Sequence, residues 1–344
     1  METEEDLKAK EEARLRELEN IRNILNIFKQ LLSDPTLTDI FVSQDGEISV
    51  KRFGKPIVDI LKGGKIMVME ASHRTLLLNQ IAKFMGINID FFVYPVLEAT
   101  VPVPEWKNAR ITGIFPPWLY APSFTIRKPP EKIYSLEQYV ENKQLLPEHY
   151  DTICRHIKEK KNIVIAGSTG SGKTTFLNAS IQKKIEIFPD YRFFMIQDVA
   201  EIQCNAKYIT PIILRSDQAI RGVQLSLRYT PDCIIFGEVR KGEVMHELLD
   251  AWNTGHPGGL TTVHANSALL TLTRIKKLLL DHLGNEASLP NLNEYIDLIV
   301  FLRKNNKTGV KVEEILEMSK LHNSEIEDVM AQYAMTHSGK NNNQ

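Results

Sequence analysis

The chain is poor in the features that mark oxidised, zinc-knuckle or membrane-spanning proteins. Its 344 residues hold three cysteines, Cys154, Cys204 and Cys233, and no Cys-x-x-Cys pair. That excludes a disulfide framework and fits buried structural thiols in a reducing compartment. No apolar run nears the roughly 20 residues of a membrane span; residues 298–302 are among the most apolar and far too short. The opening Met1-Glu2-Thr3-Glu4-Glu5 puts no basic stretch ahead of an apolar one, so no secretory signal is expected. Formal net charge is −1, from 42 Lys and Arg against 43 Asp and Glu. Without a basic footprint, direct nucleic-acid binding is not expected. Any work at a membrane is done from outside the bilayer.

What is present describes a globular protein: 43% hydrophobic and 25% charged residues, in a length that suits two domains. Residues 1–34 read as a charged amphipathic helix. Leu18, Ile21, Leu25, Phe28 and Leu32 recur at helical spacing. Such a stripe most often packs on its own domain; the second reading is a helix offered to a partner or a membrane surface. Residues 35–127 read as a small α+β domain. It should have a hairpin over 38–53 turning at Asp45-Gly46, a helix over 72–86, and strands at 109–114 and 123–127. Prolines mark a linker at 128–134. From 135 to 335, strand candidates at 162–166, 193–197, 211–214, 232–236, 259–263 and 298–302 alternate with helical stretches, which predicts a mainly parallel α/β sheet. Residues 336–344 are polar and expected to be disordered.

One motif carries the chemistry. Gly167-Ser168-Thr169-Gly170-Ser171-Gly172-Lys173-Thr174 follows an apolar strand and opens a helix. The glycines let main-chain N–H groups converge on phosphate oxygens, and the helix turns its positive end to the same anion. Lys173 should reach the β- and γ-phosphates, the Thr174 hydroxyl should bind Mg²⁺, and Thr175 continues the loop into the helix.

The remaining site residues follow from strand ends. Glu238 leaves the 232–236 strand at its C-terminal end and is assigned to the Mg²⁺ shell or to activation of the attacking water. Asp232 sits about 20 Å away at the other end and reads as a turn or cap. Asp198 and Glu201 follow the 193–197 strand and should face the same crevice, where Mg²⁺ or an arginine would supply the counter-charge. His264 closes the 259–263 strand and could sense the γ-phosphate as a neutral donor; His256 could do likewise from its loop. Zinc is not expected, because no further ligand completes a set.

These pieces occur in a recognisable order: Gly167 to Thr175, Asp198-Val199-Ala200-Glu201, the run from Leu227-Arg228-Tyr229-Thr230-Pro231-Asp232 to Gly237-Glu238-Val239-Arg240, and Thr254-Gly255-His256 with Thr261-Thr262-Val263-His264. They resemble the Walker A, Asp box, atypical Walker B and His box of the secretion ATPase superfamily. Phe124-Thr125-Ile126-Arg127-Lys128-Pro129 is similar to the linker signature of its conjugal-transfer, type IV secretion (TrbB-like) branch. The resemblance runs over about residues 38–303.

It implies a RecA-like P-loop motor domain with a smaller PAS-like N-terminal domain, ATP with Mg²⁺ as the bound cofactors, and a homohexameric ring. It implies that Arg110 and Arg127 of the first domain meet the phosphates, and that Arg228 and Arg240 act within or across the subunit interface. It also implies a bacterial cytoplasmic protein on the inner face of the inner membrane, working with secretion-channel and coupling proteins. Two departures stand out. Thr230 replaces a usual second arginine, for which Arg228 alone or another cation such as Arg221 would serve. Gln197 replaces a frequent glutamate. The nearest alternative is a type II secretion or type IV pilus motor, whose extension members often carry the zinc knuckles missing here. A DNA-translocating motor should show a basic channel stripe. A guanine switch is disfavoured because Asn306-Lys307-Thr308-Gly309 lacks its aspartate.

Overall fold

The computed structural model describes residues 4–52, 55–106, 109–129, 133–214, 217–305 and 309–321. The expected disordered tail, residues 306–308 of the guanine test and residues 130–132 of the expected linker lie outside them. The chain divides into two compact units, residues 1–131 and 132–344.

In the first unit, α1 (Glu4–Leu25) tightens into a 3₁₀ turn at Asn26–Phe28 before the short α2 (Lys29–Leu32), where the sequence predicts one helix. Its stripe packs inward. Ile21, Leu25 and Phe28 are buried, each contributing roughly 2 kcal/mol by burial. Phe28 meets Trp106 and Phe124 edge-on at 6.2 and 6.3 Å. Residues 21–28 of this segment therefore share the core of the unit. The strands are β1 (Leu37–Val42), β2 (Ile48–Arg52), β3 (Val58–Asp59), β4 (Leu61–Lys62), β5 (Lys65–Ile66), β6 (Val96–Thr100), β7 (Arg110–Ile114) and β8 (Ser123–Arg127). Six of them form an antiparallel sheet ordered β3-β2-β1-β8-β7-β6, and β4 pairs with β5 apart from it. The helix α3 (Ala71–Phe84) buries Leu77, Leu78 and Ile81 in the same core as Ile40, Val42 and Ile126.

The expected linker is shorter than 128–134. Lys128 is buried in the first unit, where its Nζ donates to the carbonyls of Leu32 and Asp34 at 2.9 and 3.1 Å. Tyr134 packs with Tyr139 in the second unit.

The second unit opens with α4 (Leu136–Glu141), started by a Ser135–Gln138 capping box, and α5 (Pro147–Lys158), whose proline supplies the first helical turn. Then come β9 (Ile163–Gly167), α6 (Lys173–Ile187), β10 (Arg192–Gln197), β11 (Tyr208–Ile213), α7 (Ala219–Arg228), β12 (Cys233–Phe236), α8 (Gly242–Asn253), β13 (Leu260–Val263), α9 (Ala268–Leu283), β14 (Leu298–Asn305) and β15 (Gly309–Glu317). The sheet order is β11-β10-β12-β13-β9-β14-β15, parallel except for β15.

Alternation along the strands explains why both faces are covered. Ile163, Ile165, Phe193 and Met195 pack with Ile153 and Phe176 of α5 and α6. Val164, Ala166, Phe194 and Ile196 pack with Val223, Trp252 and Ile275 of α7, α8 and α9. A sheet covered on both sides places its ligand crevice beyond the C-terminal strand ends.

Candidate functional site

The loop after β9 is built for close approach. Gly167 has φ +157°, and a Cβ there would lie 2.4 Å from Ser171 Oγ and 2.5 Å from the Leu302 carbonyl oxygen. Gly172 caps α6 at φ +84°. Ser171 is fully buried, and its hydroxyl has no hydrogen-bond partner among the described residues. A main-chain cradle at a helix N-terminus with a spare buried donor suits an oxyanion.

Lys173 opens α6 and is only 7% exposed. Its Nζ donates to the Ser168 carbonyl at 3.1 Å and to His264 Nδ1 at 3.2 Å, and lies 4.0 Å from Glu238 Oε1. Burial pushes its pKa down, with Glu238 opposing and Arg240 assisting. His264, at the end of β13, sets its Nε2 2.6 Å from Glu238 Oε1. An ammonium can only donate, so Nδ1 accepts and the proton sits on Nε2, facing the carboxylate. Burial holds the imidazole below its usual pKa, and the Lys173 charge adds to that, so the ring is neutral near pH 7.

Past β12, Arg240 Nε and Nη2 bind Glu238 Oε2 at 2.8 and 2.5 Å, and Nη1 binds Asp198 Oδ2 at 2.8 Å. Three strand ends, those of β10, β12 and β13, thus converge on the glycine loop. Glu201 is placed through its main chain: its N–H donates to Gln197 Oε1 at 3.1 Å and its carbonyl accepts from Asn178 Nδ2 at 3.1 Å. Gln197 also accepts from the Ile202 N–H at 2.9 Å, and Asn178 Oδ1 from the Gln203 N–H at 3.0 Å. Asn178 was not among the expected site residues. Its signal in the sequence is a polar side chain on a helix face that is otherwise buried.

Two expected residues are elsewhere in the unit. His256 precedes β13, at the opposite edge of the sheet, where its Nδ1 lies 2.7 Å from the Pro231 carbonyl. Arg228 ends α7 at that same edge. About 13 Å of strand separates that edge from the glycine loop, so neither side chain joins the loop. Asp232 immediately precedes β12 at that edge, and its Oδ2 accepts from the Arg192 N–H at 2.8 Å. Thr230 holds φ +47°, and its Oγ1 accepts from Arg192 Nη1 at 3.1 Å. The cation beside Thr230 is therefore Arg192, while Arg221 lies in the first turn of α7.

In the first unit, Arg110 and Arg127 are register partners on β7 and β8, so they share a face. Arg110 pairs with Glu98 at 3.2 Å and Arg127 with Asp39 at 2.9 Å.

The doubly covered parallel sheet and its glycine loop define a RecA-like P-loop domain. The chain belongs to the type II/IV secretion system protein family, whose model matches residues 102–334. It is 32% identical to the conjugal transfer protein TrbB of Rhizobium radiobacter over 296 residues, 85% of this chain and 87% of that one. It is 30% identical to a probable conjugal transfer protein TrbB of Sinorhizobium fredii, over 86% of this chain and 87% of the other. The type IV secretion protein VirB11 of Bartonella henselae is 31% identical over 55% of this chain and 63% of its own length. Two solved structures share the fold at 19% identity. The pilus retraction motor PilT with bound ADP has a TM-score of 0.64, over 90% of this chain and 89% of that one. The Legionella pneumophila ATPase DotB has a TM-score of 0.60, over 90% and 83%. Among the described residues no helix is long and apolar enough to cross a membrane.

Proposed function

We propose that the chain is the ATP-hydrolysing motor of a conjugative, type IV secretion apparatus, splitting ATP and water to ADP and phosphate. The observation that carries this is the convergence of Lys173, His264 and Glu238 beside the 167–174 loop. The amides of that loop and the Lys173 ammonium take the β- and γ-phosphates. Glu238 accepts a proton from the attacking water at its carboxylate. His264 donates through Nε2, which suits it to follow the γ-phosphate once the nucleotide is in place.

The donor set fits magnesium. Thr174, Asp198, Glu201 and Glu238 offer oxygen, and magnesium asks for one or two carboxylates with the balance from phosphates and water. When bound, the ion would neutralise charge on the phosphates.

Arg110 and Arg127 are assigned to the same phosphates from the first unit. Arg228, at the far sheet edge, is assigned to contacts across a hexameric ring. The working place is the cytoplasmic face of the inner membrane, in contact with channel and coupling proteins. The fold likeness to PilT does not extend the reading to pilus retraction.

Binding of a fluorescent ATP analogue and phosphate release test this. Lys173→Ala is expected to abolish both, and undiminished turnover would remove the loop from the reaction. Mass measurement with Mg²⁺ and nucleotide should give six subunits; a monomer at high concentration would count against the ring.

A further inference from the structure

Arg240 sits where a cation is least expected at a site read as taking a metal-bound nucleotide. One guanidinium holds carboxylates from two strand ends, Glu238 after β12 and Asp198 after β10, with contacts of 2.5 to 2.8 Å. The other Glu238 oxygen faces His264 Nε2, and the Lys173 ammonium lies 4.0 Å away. A small cavity walled by Ile196, Leu214, Ala219, Phe236 and Val244 adjoins the bridged pair, so one side of the cluster is apolar. Glu238 is 16% and Asp198 34% exposed at the side chain, while half of the Arg240 side chain is open to solvent.

We propose that Arg240 is a counter-ion latch for the metal site. Its guanidinium holds Glu238 and Asp198 together, and it yields them as a metal-bound nucleotide enters. This rests on the nucleotide reading above. Two neighbouring carboxylates raise each other's energy unless a cation lies between them. Arg240 fills that role through the same oxygens that a hard divalent ion would use. The two cations cannot share those oxygens, because like charges a few ångströms apart in a partly buried site repel strongly. Arg240 follows Glu238 by two residues in the loop between β12 and α8, and its exposed head can leave by side-chain rotation alone. Arg240 is thus a positioning residue: it sets the carboxylates before the ion arrives and stands aside during the reaction.

The full-length protein loaded with ADP, with Mn²⁺ as the probe and free Mn²⁺ read by electron paramagnetic resonance, tests the latch. Arg240→Gln is expected to tighten Mn²⁺ binding about tenfold, within the ordinary range of coupled binding. In EDTA without nucleotide, the same variant should melt below the wild type, and Mn²⁺ with ADP should close that gap. Arg240→Lys keeps a charge without the two-sided fork, so it should tighten Mn²⁺ less; it carries the test if the glutamine variant does not fold. Unchanged or weaker Mn²⁺ binding in either variant, with ADP binding intact, would overturn the latch alone. Failure of the wild type to bind ADP would sink the nucleotide reading and the latch together.

Discussion

The imidazole of His264 bridges Lys173 and Glu238: Nδ1 accepts from the ammonium at 3.2 Å, and Nε2 meets the carboxylate at 2.6 Å. The bridge fixes one oxygen of Glu238, and Arg240 fixes the other. Glu238 therefore enters the reaction already oriented, and its charge matters more than its shape. Glu238→Gln keeps the size and one acceptor oxygen but cannot take a proton. ATP binding should survive, and turnover should fall by about 10² to 10⁴, the usual worth of a general base. Single-turnover phosphate release checks this; a wild-type rate would remove Glu238 from the chemistry.

The same bridge makes stability depend on pH with a definite sign. Burial, then Lys173, holds His264 below its unfolded pKa of about 6.5. The unfolded chain then binds the proton more readily than the folded one, so this contribution is complete above about pH 6.5 and is lost as pH falls below it. Protonation would also turn Nδ1 into a donor facing the Lys173 ammonium. Melting temperatures taken from about pH 7.5 to about pH 5.5 should fall more steeply for the wild type than for His264→Gln. Parallel curves would deny His264 this role.

Much of this arrangement is written in the sequence, and the parts that are not share a cause. β9 and β12 are fully buried, so Ile163-Val164-Ile165-Ala166 and Cys233-Ile234-Ile235-Phe236 read as short unbroken apolar runs between turn residues. The glycine loop declares itself because a phosphate cradle constrains composition. By contrast, β15 is an antiparallel edge strand with Lys311, Glu313 and Glu314 along it, and it looks like a polar connection. His256 and His264 flank the same Thr261-Thr262 pair, yet a strand runs between them, so nearness in the chain becomes separation at opposite sheet edges. The two-sided grip of Arg240 joins residues 42 positions apart, a register that only the β10–β12 pairing supplies.

Gln197 ends β10, and its side chain holds the turn that follows. Its Oε1 accepts from the N–H groups of Glu201 and Ile202, which ties the Asp198–Glu201 turn back to the end of β10. A carboxylate oxygen accepts the same two bonds, so Gln197→Glu should leave the turn intact and change stability little. Gln197→Leu removes the acceptor and strands two main-chain donors, one of them buried, at a cost of about 1–3 kcal/mol. It should also slacken Asp198, and through Arg240 the placement of Glu238. Chemical denaturation and turnover measured on both variants separate the cases: the glutamate form should track the wild type, and the leucine form should lose stability and rate together. Equal losses in both would mean that charge at position 197, and not the acceptor oxygen, governs the turn.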